Sequence, residues 1–155
     1  MKIIQGEFGR YLEDFEAGMI IKHWPGKTIT ESDNNLFSLL TMNHHPVHID
    51  QYYASNEQHG KVLVVGTLVF SLTVGLTVRD ISGKAIANLN YSEVLHKGPV
   101  HIGDTLYAET EVLDVRPSKS KQDRGVVKVT TKTFNQNEEL VLLFTREVLV
   151  KRRLK

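Results

Sequence analysis

The chain has 155 residues, no cysteine and a formal net charge of +1, from 19 basic and 18 acidic side chains. This length suits a single domain, residues 1–155, that buries a core without a covalent staple. The charge balance gives no broad field for nucleic acid, and the lack of thiols excludes a zinc–cysteine site and a cysteine nucleophile.

The first half of the chain predicts one strand and then helices. A strand is expected near residues 19–28. Thr30–Asp33 supplies capping side chains, so a helix is expected to start near Asp33. The apolar residues that follow at helical spacing are Leu36, Phe37, Leu39 and Leu40. A second helix is expected from about residue 47 or 50 to residue 58, opened by Pro46.

A third helix is expected to begin near Gly66 and to run to about Asp80. Its apolar residues occupy nearly every face, which is typical of a helix enclosed by protein on all sides. The apolar stretch Val62–Val78 is interrupted by Gly, Thr and Ser, so it is too polar for a good membrane span. Residues 1–10 also lack the apolar run of a secretory signal, and we expect a cytoplasmic protein.

The second half predicts antiparallel strands, because it is rich in β-branched residues in alternation. Strands are expected over residues 106–112, 126–133 and 141–150, with a hairpin turn at Asn135–Asn137. One buried helix followed by long antiparallel strands indicates an α+β hot-dog fold, a curved sheet wrapped around a central helix. Because such a sheet has open edges, we expect a homodimer or a higher homo-oligomer.

The segment Asn43–Asp50 carries the densest set of reactive side chains, and three interpretations compete. It is a polar connection whose His and Asn residues serve as caps. Alternatively, it is a metal site, since His44 and His48 are four residues apart; Pro46 argues against one continuous helical face. In the third interpretation, His48 is an acid–base group near a helix N-terminus, whose dipole keeps the imidazole neutral.

The stretch Phe37–Asp50 resembles the signature of the MaoC-like (R)-specific enoyl-CoA hydratases. In that signature an Asp stands five residues before the His of an Asn-Pro-hydrophobic-His sequence. Pro46 and His48 match, whereas Asn43 replaces the Asp and His45 replaces the Asn. The resemblance continues through residues 11–18, 28–33, 64–68 and 97–106, with Val65 where many members have His, and so covers nearly the whole chain.

The resemblance implies a hot-dog hydratase/dehydratase that adds water to a trans-2-enoyl thioester, with no cofactor besides the coenzyme A of the substrate. The Thr41–Asp50 variant is similar to a subgroup that acts on branched or dicarboxylic acyl-CoA such as mesaconyl-CoA. The implied catalytic residues are His48, Asn43 and the backbone amide of Gly66. The implied substrate-binding residues are His45, Val65 and Thr67. The phosphates of the ligand should favour Lys or Arg at the rim of the dimer, where Lys61, Arg79 and Lys97 are candidates.

Asn43 leaves the activity open, because an amide orients water but cannot act as a carboxylate base. Two rival functions therefore stand beside the hydratase. A hot-dog thioesterase typically has an Asp or Glu on the central helix, yet none lies between Val62 and Val78, and Asp80 comes only at its end. A non-catalytic acyl-CoA or acyl-carrier binding protein is the other rival, and Asn43 is its main support.

Overall fold

The structure, a computed structural model, describes residues 1–154; Lys155, the last residue of the predicted domain, lies outside the described residues. The helices are α1 (Glu31–Thr41), α2 (Pro46–Ile49), α3 (Gln51–Ser55) and α4 (Gly66–Thr77), the last continued by a π-helical turn, Val78–Ser82. The strands are β1 (Ile20–Lys22), β2 (Lys27–Thr28), β3 (Ala85–His96), β4 (Thr105–Pro117), β5 (Arg124–Phe134) and β6 (Leu140–Lys151).

All strand pairs are antiparallel, and the sheet order is β1-β4-β5-β6-β3, with β2 also paired to β4. With the central helix on one face, this architecture confirms the predicted α+β hot-dog fold. The hairpin predicted at Asn135–Asn137 is confirmed, since the Asn135 amide donates to the Glu139 carbonyl oxygen over 3.0 Å. The strand expected over residues 19–28 is instead two short strands, because the turn between them contains Pro25, which has no amide hydrogen.

A polar layer divides the core into two apolar clusters. On β4, Thr110 lies between Leu106 of one cluster and Val112 of the other. Thr110 shares a hydrogen bond of 2.8 Å with Thr131, and Thr73 of α4 shares another of 2.8 Å with Thr133. Because every hydroxyl here has a partner, the layer is buried without the cost of an unpaired polar group, and it joins α4 to the sheet.

The central helix is covered on one side only. Val69, Thr73 and Thr77 are buried against the sheet, whereas Thr67, Ser71 and Gly75 are exposed. The prediction that protein encloses this helix on all sides is therefore wrong for a single chain. The sequence places apolar residues around the whole helix, but one sheet covers only the face turned towards it.

Helix α1 begins with a complete capping box. The Thr30 hydroxyl accepts a hydrogen bond from the Asp33 amide, and the Asp33 carboxylate accepts one from the Thr30 amide. The helix starts at Glu31, close to the predicted start near Asp33. Its buried residues are Asn34 and Ser38, and not the apolar set that indicated the helix.

Candidate active site

The loop after α1 leads directly into α2, which carries His48. The Nδ1 atom of His45 accepts a hydrogen bond of 3.1 Å from the Val47 amide and so caps α2, which Pro46 opens as predicted. The chain leaves helical geometry at Asp50, whose carboxylate accepts a 2.8 Å hydrogen bond from the amide of Tyr53 and starts α3.

The predicted single helix from residue 47 or 50 to residue 58 is therefore wrong: two helices of four and five residues stand in its place. The extended backbone at Asp50 explains the break, because its carboxylate competes with continued helix for the next free amide. As a consequence, His48 lies in the last turn of a short helix, and not at the N-terminus of a long one.

One hydrogen bond determines the proton position on the His48 ring. The Nδ1 atom lies 2.7 Å from the backbone carbonyl oxygen of Leu63. A carbonyl oxygen only accepts hydrogen bonds, so Nδ1 carries the proton and donates it. In the neutral ring, Nε2 then holds a lone pair. This side chain is half-buried, and it can accept a proton at Nε2.

Asn34, which the sequence analysis missed, joins His48 to the start of the central helix. Its Nδ2 group donates to the His48 carbonyl oxygen over 2.9 Å, and its Oδ1 accepts from the Val65 amide over 3.0 Å. The Leu63 amide also donates to the Val47 carbonyl oxygen over 3.1 Å. These bonds hold His48 beside the segment that leads into Gly66.

Gly66 is the first residue of α4, and its backbone amide is open. Within residues 1–154 neither this amide nor that of Thr67 donates a hydrogen bond, and no side chain caps the helix. A helix N-terminus of this kind carries partial positive charge and free N–H groups. A Cβ atom on Gly66 would lie 2.9 Å from Cε1 of His96, so the His96 ring lies close against this glycine and would have to shift to admit a larger residue.

A cavity of about 420 Å³ opens at Gly66. It is lined by His59, Leu63, Val64, Gly66, Val69, His96, Lys97, Gly98, Pro99 and Val100. Gly66 and Lys97 are the two predicted site residues that the cavity brings together. Lys61 lines a neighbouring cavity of about 280 Å³ with His101, whose Nδ1 donates to the Val62 carbonyl oxygen.

Four other predicted residues do not line this cavity. Arg79 lies just beyond the far end of α4, about 20 Å along the helix axis from Gly66, and its contact with the phosphates stays a prediction. The Val65 side chain is 2% exposed, and its contribution to the site is the bond from its amide to Asn34. His45 is an exposed helix cap. Thr67 is exposed beside Gly66.

Asn43 lies in the turn between α1 and α2 and is half-buried. Its side-chain Oδ1 accepts a long hydrogen bond of 3.4 Å from the backbone amide of His45. Its backbone amide donates to the Ser38 carbonyl oxygen over 3.0 Å. Within the described residues no hydrogen bond joins Asn43 to His48.

A separate ionic cluster lies at the far end of α4. Asp80 accepts hydrogen bonds from Nδ1 of buried His23 over 2.8 Å and from Arg10 over 2.9 Å. Burial acts to raise the pKa of the Asp80 carboxyl, but the bonds from His23 and Arg10 outweigh it and the pKa lies below its usual value. This carboxylate is already paired, which weakens the thioesterase alternative.

No three His, Cys, Asp or Glu side chains in residues 1–154 lie close enough together to hold a metal ion. No helix in the same range is both long and apolar enough to cross a membrane.

The fold and site together define a hot-dog domain in which hydrogen bonds link the His48 imidazole to the segment before an open helix N-terminus. Residues 14–135 match the family model of the MaoC-like domain. The chain therefore belongs to the MaoC-like domain family.

Two named hydratases and one solved structure illustrate the similarity of this chain to known proteins. Mesaconyl-CoA hydratase of Cereibacter sphaeroides is 35% identical over 145 residues, which are 94% of this chain but 42% of that protein. The (R)-specific enoyl-CoA hydratase of Aeromonas caviae is 32% identical over 115 residues, 74% of this chain and 80% of the relative. The crystal structure of a MaoC-like dehydratase from Rhodospirillum rubrum is 29% identical, with a TM-score of 0.83 over 95% of this chain and 100% of that one.

Proposed function

We propose that this domain is an acyl-CoA hydratase/dehydratase that adds water across the double bond of a trans-2-enoyl thioester. The observation that carries the proposal is the 2.7 Å bond from His48 Nδ1 to the Leu63 carbonyl oxygen, which leaves a basic Nε2 beside the segment that opens α4. The free amide of Gly66 at that helix start supplies the second element that the reaction needs.

In the proposed reaction, the thioester carbonyl oxygen accepts a hydrogen bond from the Gly66 amide. A water molecule bonded to His48 Nε2 attacks C3, one of its protons moves to Nε2, and the π electrons move towards the thioester oxygen as an enolate. His48 then returns this proton to C2, so water adds with no net proton consumed. Loss of such an enolate-stabilising amide typically costs about 2.7–4 kcal/mol of transition-state stabilisation.

Asn43 has an orienting role in this proposal. Its carbonyl oxygen can accept a hydrogen bond from the attacking water, and its NH₂ group can donate one, but neither takes up a proton near neutral pH. His48 alone therefore acts as both base and acid. A relative at 35% identity is named mesaconyl-CoA hydratase, which supports a branched or dicarboxylic enoyl thioester as the substrate class.

The thioesterase alternative has no support from the central helix, because Gly66–Thr77 contains no carboxylate and Asp80 is paired with His23 and Arg10. The binding-protein alternative keeps its support from Asn43. It predicts retention of an enoyl-CoA without chemical change, which the experiment below distinguishes.

The proposed functional unit is a homodimer. Strand β3 lies at the edge of the sheet, and every residue in it except Ala85 is exposed, including Leu89 and Tyr91. An exposed edge strand this long offers unpaired backbone groups to a second copy. The uncovered side of α4, at Ser71 and Gly75, adds surface that a partner would bury. Light scattering should give the mass of a dimer, and Leu89→Lys should shift it towards the monomer.

The test of the function is the incubation of the protein with crotonyl-CoA. The conjugated-enoyl absorbance should fall, and mass spectrometry should show the gain of one water per thioester. Release of free coenzyme A from a saturated acyl-CoA, without hydration of the enoyl ester, would instead establish a thioesterase. Binding of the ligand without either reaction would establish a carrier. The enzyme itself should need no added cofactor, and the lack of cysteine is compatible with a reducing cytoplasm.

A further inference from the structure

The cavity at Gly66 contains basic groups that the proposed hydration step does not use. Its lining is otherwise apolar or glycine, but it includes His59, His96 and Lys97 and has no Asp or Glu. These three basic residues are exposed. A plain hydrocarbon chain gains nothing from them, whereas an anionic substituent gains a charge-assisted hydrogen bond.

We propose that His96, assisted by the positive charge of Lys97, binds a second carboxylate on the acyl chain and so selects dicarboxylic enoyl thioesters. This inference rests on the proposed function and deepens it, since it assigns residues to the substrate class. Within residues 1–154 the ring nitrogens of His96 make no hydrogen bond, so an N–H of this ring is free for a ligand.

The position of His96 indicates that the substituent it binds lies close to the reacting carbons of the substrate. Its Cε1 and Nε2 atoms lie 2.9 Å and 3.2 Å from where a Gly66 Cβ would stand. If the thioester oxygen lies at the Gly66 amide, C4 of a short enoyl chain is a few bonds away from this ring. The phosphates of coenzyme A are separated from the thioester by the whole pantetheine arm, so they are not the anion that His96 meets.

Lys97 and His59 complete the basic side of the cavity. Lys97 follows His96 directly, and its amide donates to the Val141 carbonyl oxygen over 2.8 Å, which anchors the backbone at the end of β3. The His59 ring packs edge-on against His101, with 6.0 Å between centroids. A carboxylate that enters this cavity therefore meets only basic or neutral side chains among those that line it.

The experiment compares two four-carbon thioesters that differ only at C4: crotonyl-CoA, with a methyl group, and fumaryl-CoA, with a carboxylate. His96→Phe keeps a planar ring against Gly66 but removes the N–H donor, and His96→Gln keeps a donor without the imidazole. His44→Phe is the control, because His44 is exposed and does not line this cavity.

We expect His96→Phe to lower kcat/KM for fumaryl-CoA about 10-fold or more, mainly by raising KM. The same variant should change kcat/KM for crotonyl-CoA by less than about threefold. The kcat/KM of His96→Gln for fumaryl-CoA should lie between those of the wild type and His96→Phe, and His44→Phe should match the wild type. An equal fall of kcat/KM with both thioesters would place His96 at the thioester end and overturn the inference. Unchanged kcat/KM with both thioesters would also overturn it. If His96→Phe does not fold, the same comparison with His96→Gln decides.

Failure of the proposed function is separately visible. A wild-type protein that hydrates neither thioester would overturn the hydratase. In that case, calorimetric Kd values for succinyl-CoA and butyryl-CoA still test His96. The inference requires tighter binding of succinyl-CoA and loss of that preference in His96→Phe; equal affinities in the wild type would overturn it.

Discussion

Asn34 donates a hydrogen bond from Nδ2 to the backbone carbonyl oxygen of His48 over 2.9 Å. Because Oδ1 of the same buried side chain accepts from the Val65 amide over 3.0 Å, one amide side chain connects the candidate base to the start of the central helix. The distance between His48 and Gly66 therefore depends on a residue of α1 that contacts neither substrate nor water in the proposed reaction.

Replacement of Asn34 by Leu should destabilise the protein by about 2 kcal/mol or more, because it leaves the His48 carbonyl and the Val65 amide without their partner. The free energy of unfolding in denaturant measures this, and kcat should fall as His48 loses its position. The matched control is Asn35→Leu at the exposed neighbouring position, which should stay within about 0.5 kcal/mol of the wild type. Equal stabilities for the two variants would contradict the role of Asn34 as the link between His48 and Val65.

Asn43→Asp should raise kcat for crotonyl-CoA hydration, because a carboxylate beside the attacking water adds the second acid–base group that the chain lacks. The gain expected from such a group is up to about 100-fold. Asn43→Leu, which can neither orient water nor accept a proton, is the control and should be slower than the wild type. A slower Asn43→Asp enzyme would mean that the turn does not present this side chain to the water.

Asp33→Asn should weaken the cap of α1. The hydrogen bond from Lys27, together with that from the Thr30 amide, lowers the pKa of the Asp33 carboxyl from 3.8 to about 2. A carboxyl with a lowered folded-state pKa stabilises the protein above its unfolded value, and this stabilisation is lost as the pH falls from 3.8 towards 2. Near neutral pH the free energy of unfolding of the variant should be about 0.5–1 kcal/mol lower than that of the wild type. The difference is small because the carboxylate is 34% exposed.

The difference between Asp33→Asn and the wild type should therefore shrink on acidification, as measured by denaturant midpoints across the acid range. Glu31→Gln, an exposed acid in the same helical turn, should show no comparable convergence. A difference that is independent of pH would contradict the role of the ionised Asp33 carboxylate.

His23 should make the stability depend on pH near neutrality. Burial lowers the pKa of the His23 imidazole below 6.5, although the hydrogen bond to Asp80 opposes the shift. The unfolded chain then binds a proton more readily than the folded one, so stability is greatest above 6.5 and falls as the pH drops below it. The Tm of the wild type should decrease on mild acidification more than that of His23→Gln. Parallel curves for the two proteins would rule out this role.

Several regular elements could be predicted from the sequence, because hydrophobic period and turn chemistry are local signals. Helix α4, strands β4, β5 and β6 and the β5–β6 turn follow from such patterns, whereas no expected strand covers β3. The spacing of Pro46 and His48, together with a glycine at a helix start, also identifies His48 and Gly66 as candidate site residues from the sequence alone.

What the sequence could not predict depends on tertiary contacts. The burial of Asn34 and Ser38 instead of the apolar residues of α1 depends on which face meets the rest of the chain. His96 was missed because its contact with Gly66 joins two elements that are 30 positions apart in the chain.

The central claim is that Nε2 of His48 moves the proton, and His48→Asn tests it most directly. The Nδ2 group of asparagine stands where Nδ1 of the imidazole is and can donate to the Leu63 carbonyl oxygen, but asparagine has no basic nitrogen. We expect kcat/KM for crotonyl-CoA hydration, followed by the loss of enoyl absorbance, to fall by at least about 100-fold while the protein stays folded. A variant that retains activity within about threefold of the wild type would contradict the account.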